Sequence, residues 1–573
     1  MKINAFKKVI ENFYPKKMKL FLMLFFSVIA GFMEFLGLVL IFQFILFLTN
    51  PTSNFCIKII DFCKNFALED FNKISLIIGI LVALIYIFKN IFMMVLTKYN
   101  NNILSDISKN MTLKTVSNLL FGDYLTINSI ENSKKISYLN NIEIIVWQYI
   151  RKFFNLTTNL IVAIILISFL FIKFTSIALI SSLLIIILAS IEYKYLKNKS
   201  INQQKNYTNS VNNVNDIKLK TVELTKEIRL NSKENIFIEN FKNVYNSLLK
   251  LNKERYFNSV LHIYFTEISI MLIFILVLVM LFITTNFNNA LIISSISTIC
   301  VVILRLTPLL NRCQSALYII NSNEKVVEEF LDFYNKFSYK LAYTKEKLPF
   351  EKAIEFKNVD FTYKNKNGIK NINLKINKGD FIALVGKSGS YKTTISNVLA
   401  GLYLINKGEI LIDNILLDKN NTKAWQNNIS YVFQDCNLIF DKLDKTDFDI
   451  KILKKLDLNL ENIKNINELS QGQKQRLALL YAINNDKELL ILDEITSNLD
   501  SVSEEKINDF LVYLNTKKSK TIVAITHRIN ILKHCNKIIF TNSNGIVDIN
   551  NFEYLYNNYE DFRQIIENSK PNF

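Results

Sequence analysis

Long apolar stretches alternate with polar ones along the first half of the chain. Six of these stretches reach or approach the ~20 apolar residues that a helix needs to cross a hydrocarbon core ~30 Å thick. They lie at residues 18–48, 74–97, 144–172, 176–193, 261–285 and 289–312. The pattern predicts an all-α domain of six transmembrane helices with cytoplasmic extensions, and we assign it to residues 1–340.

The pattern changes near residue 350, where short apolar runs of strand type begin. These runs are AIEFKNVDFTY, FIALVG, ISYVFQ, LLILDE and TIVAITH, and helical segments separate them. Strands that alternate with helices are typical of an α/β domain. We therefore assign residues 341–573 to a soluble, nucleotide-binding α/β domain.

The distribution of charge predicts the orientation of the chain. Six lysines lie within the first 19 residues, before and at the start of the first apolar run, whereas residues 49–73 carry three lysines and three acidic residues. Because loops rich in lysine and arginine remain inside, we expect a multi-pass protein with both termini in the cytoplasm. The net charge of +18 is explained largely by such flanking residues, so no nucleic-acid partner is expected.

Two motifs in the second half indicate a site for Mg-ATP. The run GKSGSYKTT follows an apolar strand and precedes a helix, a position in which backbone N–H groups can hold phosphates. Lys392 would reach the β- and γ-phosphates, and Thr393 would bind Mg²⁺. In LLILDE, Asp493 would bind the metal and Glu494 would polarise water. The loop residues expected to bind ATP are Gly386, Lys387, Ser388, Gly389, Ser390, Tyr391, Lys392, Thr393 and Thr394.

Further motifs, LSQGQ at 469–473, SNLD at 497–500 and ITHR around His527, occur in an order that resembles the ABC transporter ATPases from about residue 350 to 560. The resemblance implies that Tyr363 stacks on adenine and that Gln434 binds the metal and links the nucleotide to the membrane domain. It implies that Gln434 and His527 act beside Glu494 in catalysis. The remaining residues that it implies for ATP binding are Ser470, Gly472, Gln473 and Asp500.

The chain departs from the family pattern in its phosphate loop. Tyr391 stands immediately before the lysine, where the family has a glycine that allows close approach of the backbone to phosphate. This substitution predicts weakened ATP binding. One alternative is therefore a degenerate ATP-binding subunit that regulates a heterodimeric transporter.

Six spans followed by one ATPase domain resemble a half-transporter of the exporter type. In that family each ATP lies between the phosphate loop of one subunit and the signature of the other, so the resemblance implies a dimer. We expect a homodimer in the bacterial inner membrane, with a heterodimer as the alternative.

Charged residues within the spans are candidates for substrate binding, because burying a charge in a membrane is costly. Arg305 and Arg312 are seven residues apart and share a helix face, and Lys89 interrupts the second span. They could line a cavity for an anionic group. Alternatively, Arg312 snorkels to the interface and Lys89 pairs with Glu34 or Glu267.

The segment RLTPLLNR, the stretch around Glu34 and an amphipathic helix expected at residues 55–67 are similar to bacterial lipid-linked oligosaccharide flippases. That resemblance adds His262 to the three basic candidates. It implies an ATP-driven exporter of an amphipathic anion, with membrane lipid as a further partner. An exporter of peptides or of other lipids is the alternative within the same class.

Overall fold

The computed structural model describes residues 2–49, 70–173, 175–284, 289–336, 341, 343–363, 367–434, 452, 456, 458, 469–484, 487–496, 501–543 and 545–568. The chain forms two compact units. The first comprises Met1–Leu119 and Ile130–Lys336, and the second comprises Leu120–Ser129 and Phe337–Phe573. A ten-residue segment from the helical half is therefore part of the second unit.

The first half of the chain is helical. Its helices are α1 (Lys2–Phe13), α2 (Lys17–Thr49), α3 (Phe71–Phe121), α4 (Tyr124–Asn128), α5 (Asn132–Glu143), α6 (Arg151–Lys173), α7 (Thr175–Glu223), α8 (Thr225–Leu230), α9 (Glu234–Thr284) and α10 (Asn289–Lys336). A π-helical turn, Ile144–Ile150, joins α5 to α6. The predicted apolar runs lie on α2, α3, the π turn with α6, α7, α9 and α10.

Several of these helices are suited to a lipid environment. Within the described ranges, three helical stretches are long and apolar enough to cross a membrane: Phe71–Phe121, Asn132–Ser168 and Glu234–Met280. Large apolar side chains on their surfaces, such as Leu84 and Leu272, are exposed. Lipid tails would cover these side chains, so the helices fit a multi-pass membrane protein.

An apolar cluster packs α1 against other helices of the first unit. Ala5, Val9 and Phe13 recur every four residues on α1 and are buried, because this spacing places them on one helix face. They pack with residues of α3, the π turn and α10, including Tyr149 and Phe330. The amphipathic α1 is therefore built into the first unit.

The second unit contains two sheets. The described strands are β1 (Ala353–Thr362), β2 (Gly368–Asn377), β3 (Phe381–Gly386), β4 (Lys407–Ile412), β5 (Ile415–Leu416), β6 (Ile429–Val432), β7 (Leu489–Asp493), β8 (Thr521–Ile525), β9 (Lys537–Asn542) and β10 (Gly545–Asn550). One sheet has the order β2-β1-β4-β5 and is antiparallel. The other has the order β10-β9-β3-β8-β7-β6 and is parallel except at β10.

Helices connect and cover these strands. They are α11 (Lys392–Leu399), α12 (Thr422–Gln426), α13 (Gln471–Asn484), α14 (Ser501–Lys518), α15 (Ile529–Leu532), α16 (Phe552–Asn558) and α17 (Glu560–Asn568). Every residue of β3, β7 and β8 is buried, as expected for parallel strands covered on both faces. A helical half followed by an α/β half confirms the predicted fold class.

The helix α4 packs within the second unit. The Asp123 carboxylate caps it by accepting a hydrogen bond from the Thr126 N–H at 3.0 Å. Leu125 contacts the apolar cluster beneath the antiparallel sheet, and the Tyr124 ring lies 6.1 Å from that of Tyr403. Sequence patterning did not predict this placement, because the segment is too short to show a periodicity.

One charged pair is buried among the apolar helices of the first unit. Nζ of Lys89 on α3 lies 3.6 Å from Oε1 of Glu34 on α2 and 4.5 Å from the centre of the Tyr86 ring. Lys89 is 4% exposed. Pairing with Glu34 is one of the alternatives left open above, and it lowers the cost of burying the ammonium.

We expect Lys89→Met to destabilise the protein, because it removes the buried ammonium that lies beside the half-buried Glu34 carboxylate. Removing one member of a buried pair typically costs about 3–5 kcal/mol. Thermal unfolding in nanodiscs should show a lower midpoint for Lys89→Met and recovery in Lys89→Met with Glu34→Gln. The matched control is Lys220→Met, which breaks an exposed pair with Asp216 and should change little. Equal midpoints for Lys89→Met and Lys220→Met would contradict a stabilising pair.

Candidate functional site

The phosphate loop joins β3 to α11 and lies against β9. A Cβ added at Gly386 would lie 2.3 Å from the backbone oxygen of Thr541, so only glycine fits there. The hydroxyls of Ser390 and Thr541 are hydrogen-bonded at 2.9 Å. Gly389 has a φ of +82°, in the region that favours glycine. These contacts fix the loop at the carboxyl end of β3.

Tyr391 has a left-handed backbone conformation, in the region that favours glycine. Its φ is 62° and its ψ is 19°, in the left-handed region, immediately before α11. Its half-buried side chain packs against the apolar cluster of the second unit. The loop therefore keeps a left-handed residue here, and the tyrosine ring is partly accommodated within the protein.

Lys392 is buried inside the curve of this loop. Its Nζ donates hydrogen bonds to the backbone oxygens of Gly386 at 2.7 Å and Lys387 at 3.1 Å. Burial lowers the pKa of Lys392, and the negative charges of Glu494 and Asp493 oppose that shift. An ammonium in this position can interact with phosphates that the loop N–H groups hold.

Asp493 and Glu494 end the neighbouring strand β7. Burial, together with the negative charge of Glu494, raises the pKa of Asp493, whereas a hydrogen bond from Tyr431 and the charge of Lys392 lower it. The Tyr431 hydroxyl also lies 3.0 Å from that of Ser396 on α11. Tyr431 thus links the acidic strand end to the helix after the phosphate loop, a role that its place in a strand did not reveal.

Three residues at the ends of three adjacent parallel strands meet at the Glu494 carboxylate. Oε2 accepts a hydrogen bond from Nε2 of Gln434 at 3.0 Å, and Oε1 lies 3.7 Å from Nε2 of His527. Burial and the positive charge of Lys392 lower the pKa of His527, against the effect of Glu494. Since histidine normally titrates near ~6.5, His527 is mostly neutral at pH 7. Such a group can orient a carboxylate or a water molecule without adding a charge.

Tyr363 contacts α11 through Thr394. Its hydroxyl is 2.9 Å from the hydroxyl of Thr394, and its ring meets the edge of the Tyr403 ring at 5.8 Å. Tyr403 stacks on Phe361 at 5.0 Å, and burial raises its pKa to about 12. The ring of Tyr124 completes a continuous aromatic group from Tyr363 to α4. Sequence reasoning missed Tyr403, because no motif marks it.

The signature residues form the start of α13. The Ser470 Oγ accepts a hydrogen bond from the Gln473 N–H at 3.3 Å, and Oε1 of Gln473 accepts one from the Ser470 N–H at 2.9 Å. This reciprocal pair is a capping box. The Gly472 oxygen accepts a hydrogen bond from Arg476 at 3.4 Å. In the described ranges, none of the three predicted signature residues bonds to the phosphate loop of the same chain, and Asp500 lies outside those ranges.

The predicted metal ligands supply the donor atoms that Mg²⁺ prefers. Asp493 offers a carboxylate and Thr393 an exposed hydroxyl. Gln434 uses its Nε2 on Glu494, which leaves its amide oxygen as a donor. Because Mg²⁺ binds through oxygen ligands, the residues present fit this ion.

The predicted substrate residues are described only in part. Lys89 is paired with Glu34, and Arg312 is exposed on α10. The side chains of Arg305 and His262, as well as the segment 55–67, lie outside the described part of the chain.

Comparisons with known proteins give the family. The profile described as ABC transporter matches residues 369–497. An uncharacterized ABC transporter ATP-binding protein of Methanocaldococcus jannaschii is 36% identical over 33% of this chain and 92% of its own length. The ATP-dependent permease MDL1 of Candida albicans is 36% identical over 36% of this chain and 34% of its own length. The ATP-dependent lipid A-core flippase of Escherichia coli is 33% identical over 34% of this chain and 37% of its own length.

The two membrane proteins are thus matched over little more than a third of their length. A solved structure extends the likeness in fold to nearly the whole chain. It is a bacterial Atm1-family ABC exporter with ATP bound, with a TM-score of 0.80, 13% identity and coverage of 97% of this chain and 99% of the other. The chain therefore belongs to the ABC transporter family and has the fold of an ABC exporter.

Proposed function

We propose that the protein is a half-transporter that hydrolyses ATP to export an amphipathic anionic substrate, a lipid-linked oligosaccharide, across the bacterial inner membrane. The observation that carries the proposal is the position of Glu494 between Gln434 and His527, beside the phosphate loop and Lys392. Hydrolysis of a phosphoanhydride requires this kind of positioning and charge neutralisation more than covalent catalysis.

Each residue of the site has a part in this chemistry. The loop N–H groups and Lys392 bind the phosphates, and the ring of Tyr363 stacks on adenine. Glu494 polarises the attacking water, and the neutral His527 holds the carboxylate in position. Thr393, Asp493 and Gln434 would hold Mg²⁺, which would supply charge neutralisation on the phosphate oxygens.

A dimer is part of the proposal. Ser470 and Gln473 bond to each other at the start of α13 rather than to the loop of their own chain. The exposed Ser470 is thereby available to a nucleotide held by a second subunit. We propose a homodimer, since one chain supplies both halves of the site, and a heterodimer remains the alternative.

The substrate class is proposed from one relative and from basic residues of the first unit. One relative is named a lipid A-core flippase, and Arg305 and Arg312 place basic residues on α10. Lys89 adds little net charge, because Glu34 pairs with it. An exporter of peptides or of other lipids is the alternative within this class, and a regulatory ATP-binding subunit is the alternative outside it.

We expect Glu494→Gln to lower ATP hydrolysis at least ~100-fold, because the amide cannot polarise water as the carboxylate does. The measurement is phosphate release by the purified full chain in lipid nanodiscs, together with ATP binding, which should persist. Glu505→Gln, on the exposed face of α14, is the control and should hydrolyse ATP normally. Hydrolysis that is undetectable in the unmodified chain would favour the regulatory subunit.

We expect Tyr391→Gly to tighten ATP binding severalfold. Glycine removes the Cβ and the ring of Tyr391, so the backbone of the loop can approach the phosphates closely. The Kd for ATP, measured on the full chain, gives the result. Tyr391→Ala is the matched variant, since it removes the ring but keeps the Cβ at positive φ. An unchanged Kd in Tyr391→Gly would show that the tyrosine costs nothing in binding.

We expect Arg305→Ala with Arg312→Ala to abolish the stimulation of ATP hydrolysis by a polyprenyl-pyrophosphate glycan, while basal hydrolysis is preserved. The reason is the loss of the guanidinium groups that would bind the pyrophosphate. The control is Arg229→Ala, an exposed arginine on α8, outside the predicted spans. Full stimulation in the double variant would remove the anion-lining hypothesis and leave the peptide or other lipid exporter.

A further inference from the structure

A small cavity lies within the first unit between α7, α9 and α10. Its volume is about 20 Å³, and its polar lining consists of Glu192, Thr266, Ser269 and Gln314. Isoleucines and leucines of the same three helices complete the wall. A space of this size holds about one water-sized group. The cavity therefore suits a single small polar group rather than a whole substrate.

Two oxygens in the cavity wall, Oε1 of Glu192 and Oε1 of Gln314, accept no hydrogen bond from any described residue. Glu192 is 9% exposed, and its Oε1 has no hydrogen-bond partner among the described residues. The side chain of Gln314 is the hydrogen-bonding neighbour of this carboxyl, but its own Oε1 also lacks a partner within that part of the chain. The Thr266 hydroxyl is occupied, since it donates to Oδ1 of Asn311.

No positive charge balances Glu192 in the described ranges, where no lysine, arginine or histidine forms an ion pair with it. The contrast with Glu34 is direct, because the Glu34 carboxylate has the ammonium of Lys89 beside it. A buried carboxylate without a partner is costly, and it is stabilised when a charged donor approaches it. The cavity thus provides the acceptors of an ion pair without the donor.

The chemistry of the acceptors distinguishes between possible donors. An ammonium group carries a positive charge and three N–H donors, which matches a carboxylate with further oxygens nearby. A hydroxyl donates only one hydrogen and leaves the charge uncompensated. A calcium or magnesium ion requires about six or more oxygen ligands, more than the cavity offers.

The surroundings suit an amphipathic ligand. Glu192 is placed where the apolar run of α7 gives way to the polar sequence YKYLKNKS. On the same helix Ile187 and Ile191 are exposed, as is Ile268 on α9. A molecule with an apolar tail along such surfaces could place its head group at the boundary, where the cavity lies.

We propose that this cavity binds the primary ammonium head of an amphipathic molecule, with the Glu192 carboxylate as its counter-ion. The proposal rests on the proposed function, in that the first unit carries an amphipathic substrate. The cavity proposal adds a requirement to the proposed function. A substrate that binds both in this cavity and at the basic candidate residues must carry an ammonium group as well as an anionic group.

The test uses the full chain in nanodiscs with dodecylammonium as the probe and dodecanol as its neutral counterpart. Dodecylammonium should raise the thermal unfolding midpoint, since a ligand that binds only the folded state stabilises it. In Glu192→Gln, which keeps the shape but removes the charge, the concentration giving half of that shift should rise at least tenfold. Glu239→Gln, an exposed glutamate on α9, is the matched control for the loss of a negative charge.

Three results would overturn the proposal: no shift with dodecylammonium, equal shifts in Glu192→Gln and the unmodified chain, or equal responses to the amine and the alcohol. The proposed function is tested separately by ATP hydrolysis in the same nanodiscs. A midpoint shift that depends on Glu192 in a chain that does not hydrolyse ATP would uphold the cavity and remove the exporter. Hydrolysis of ATP without a midpoint shift that depends on Glu192 would uphold the exporter and overturn the cavity proposal.

Discussion

The nucleotide site depends on the close approach of the Gly386 backbone to β9. Because a Cβ would collide with the Thr541 oxygen, glycine is required at the end of β3, and the chain turns there. The Ser390–Thr541 hydrogen bond then holds the loop, and Lys392 bonds back to the Gly386 oxygen. The ammonium is thereby fixed beside the ends of β7 and β8, where Glu494 and His527 lie.

The sequence was informative wherever structure is encoded locally. The runs FIALVG, LLILDE and TIVAITH predicted strands of an α/β domain. The motifs after them fell at one edge of a sheet because parallel strands share an orientation. It was uninformative wherever a contact joins distant segments. Tyr431 and Tyr403 are ordinary aromatic residues until the fold places them beside Asp493 and Tyr363. Likewise, the choice of Glu34 as the partner of Lys89 depends on how two helices face each other, which periodicity within each helix does not determine.

Two carboxylates among the apolar helices, Glu34 and Glu192, differ in how their charge is balanced. Glu34 is matched by a lysine from the adjacent helix, so its charge is compensated within the protein. Glu192 lines a cavity of about 20 Å³, and the other polar residues of its lining in the described part of the chain, Thr266, Ser269 and Gln314, are neutral. If this space served packing alone, an apolar side chain could fill it at a lower cost in free energy than a buried carboxylate. The retained cavity and carboxylate are therefore better explained by ligand binding than by stability.

The placement of residues 120–129 gives the second unit a physical connection to the membrane helices. Tyr363 contacts Tyr403, Tyr403 contacts Tyr124, and Tyr124 begins α4, which is covalently joined to α3 and α5. Aromatic rings have few rotamers, so adenine stacked on Tyr363, as proposed, would displace Tyr403 and Tyr124 as well. The proposed occupancy of this site would in this way bias α4. The ring group that includes Tyr363 is distinct from the group of Gln434, Glu494 and His527. In the proposed function, binding of ATP and its hydrolysis would therefore act on different residues of the second unit.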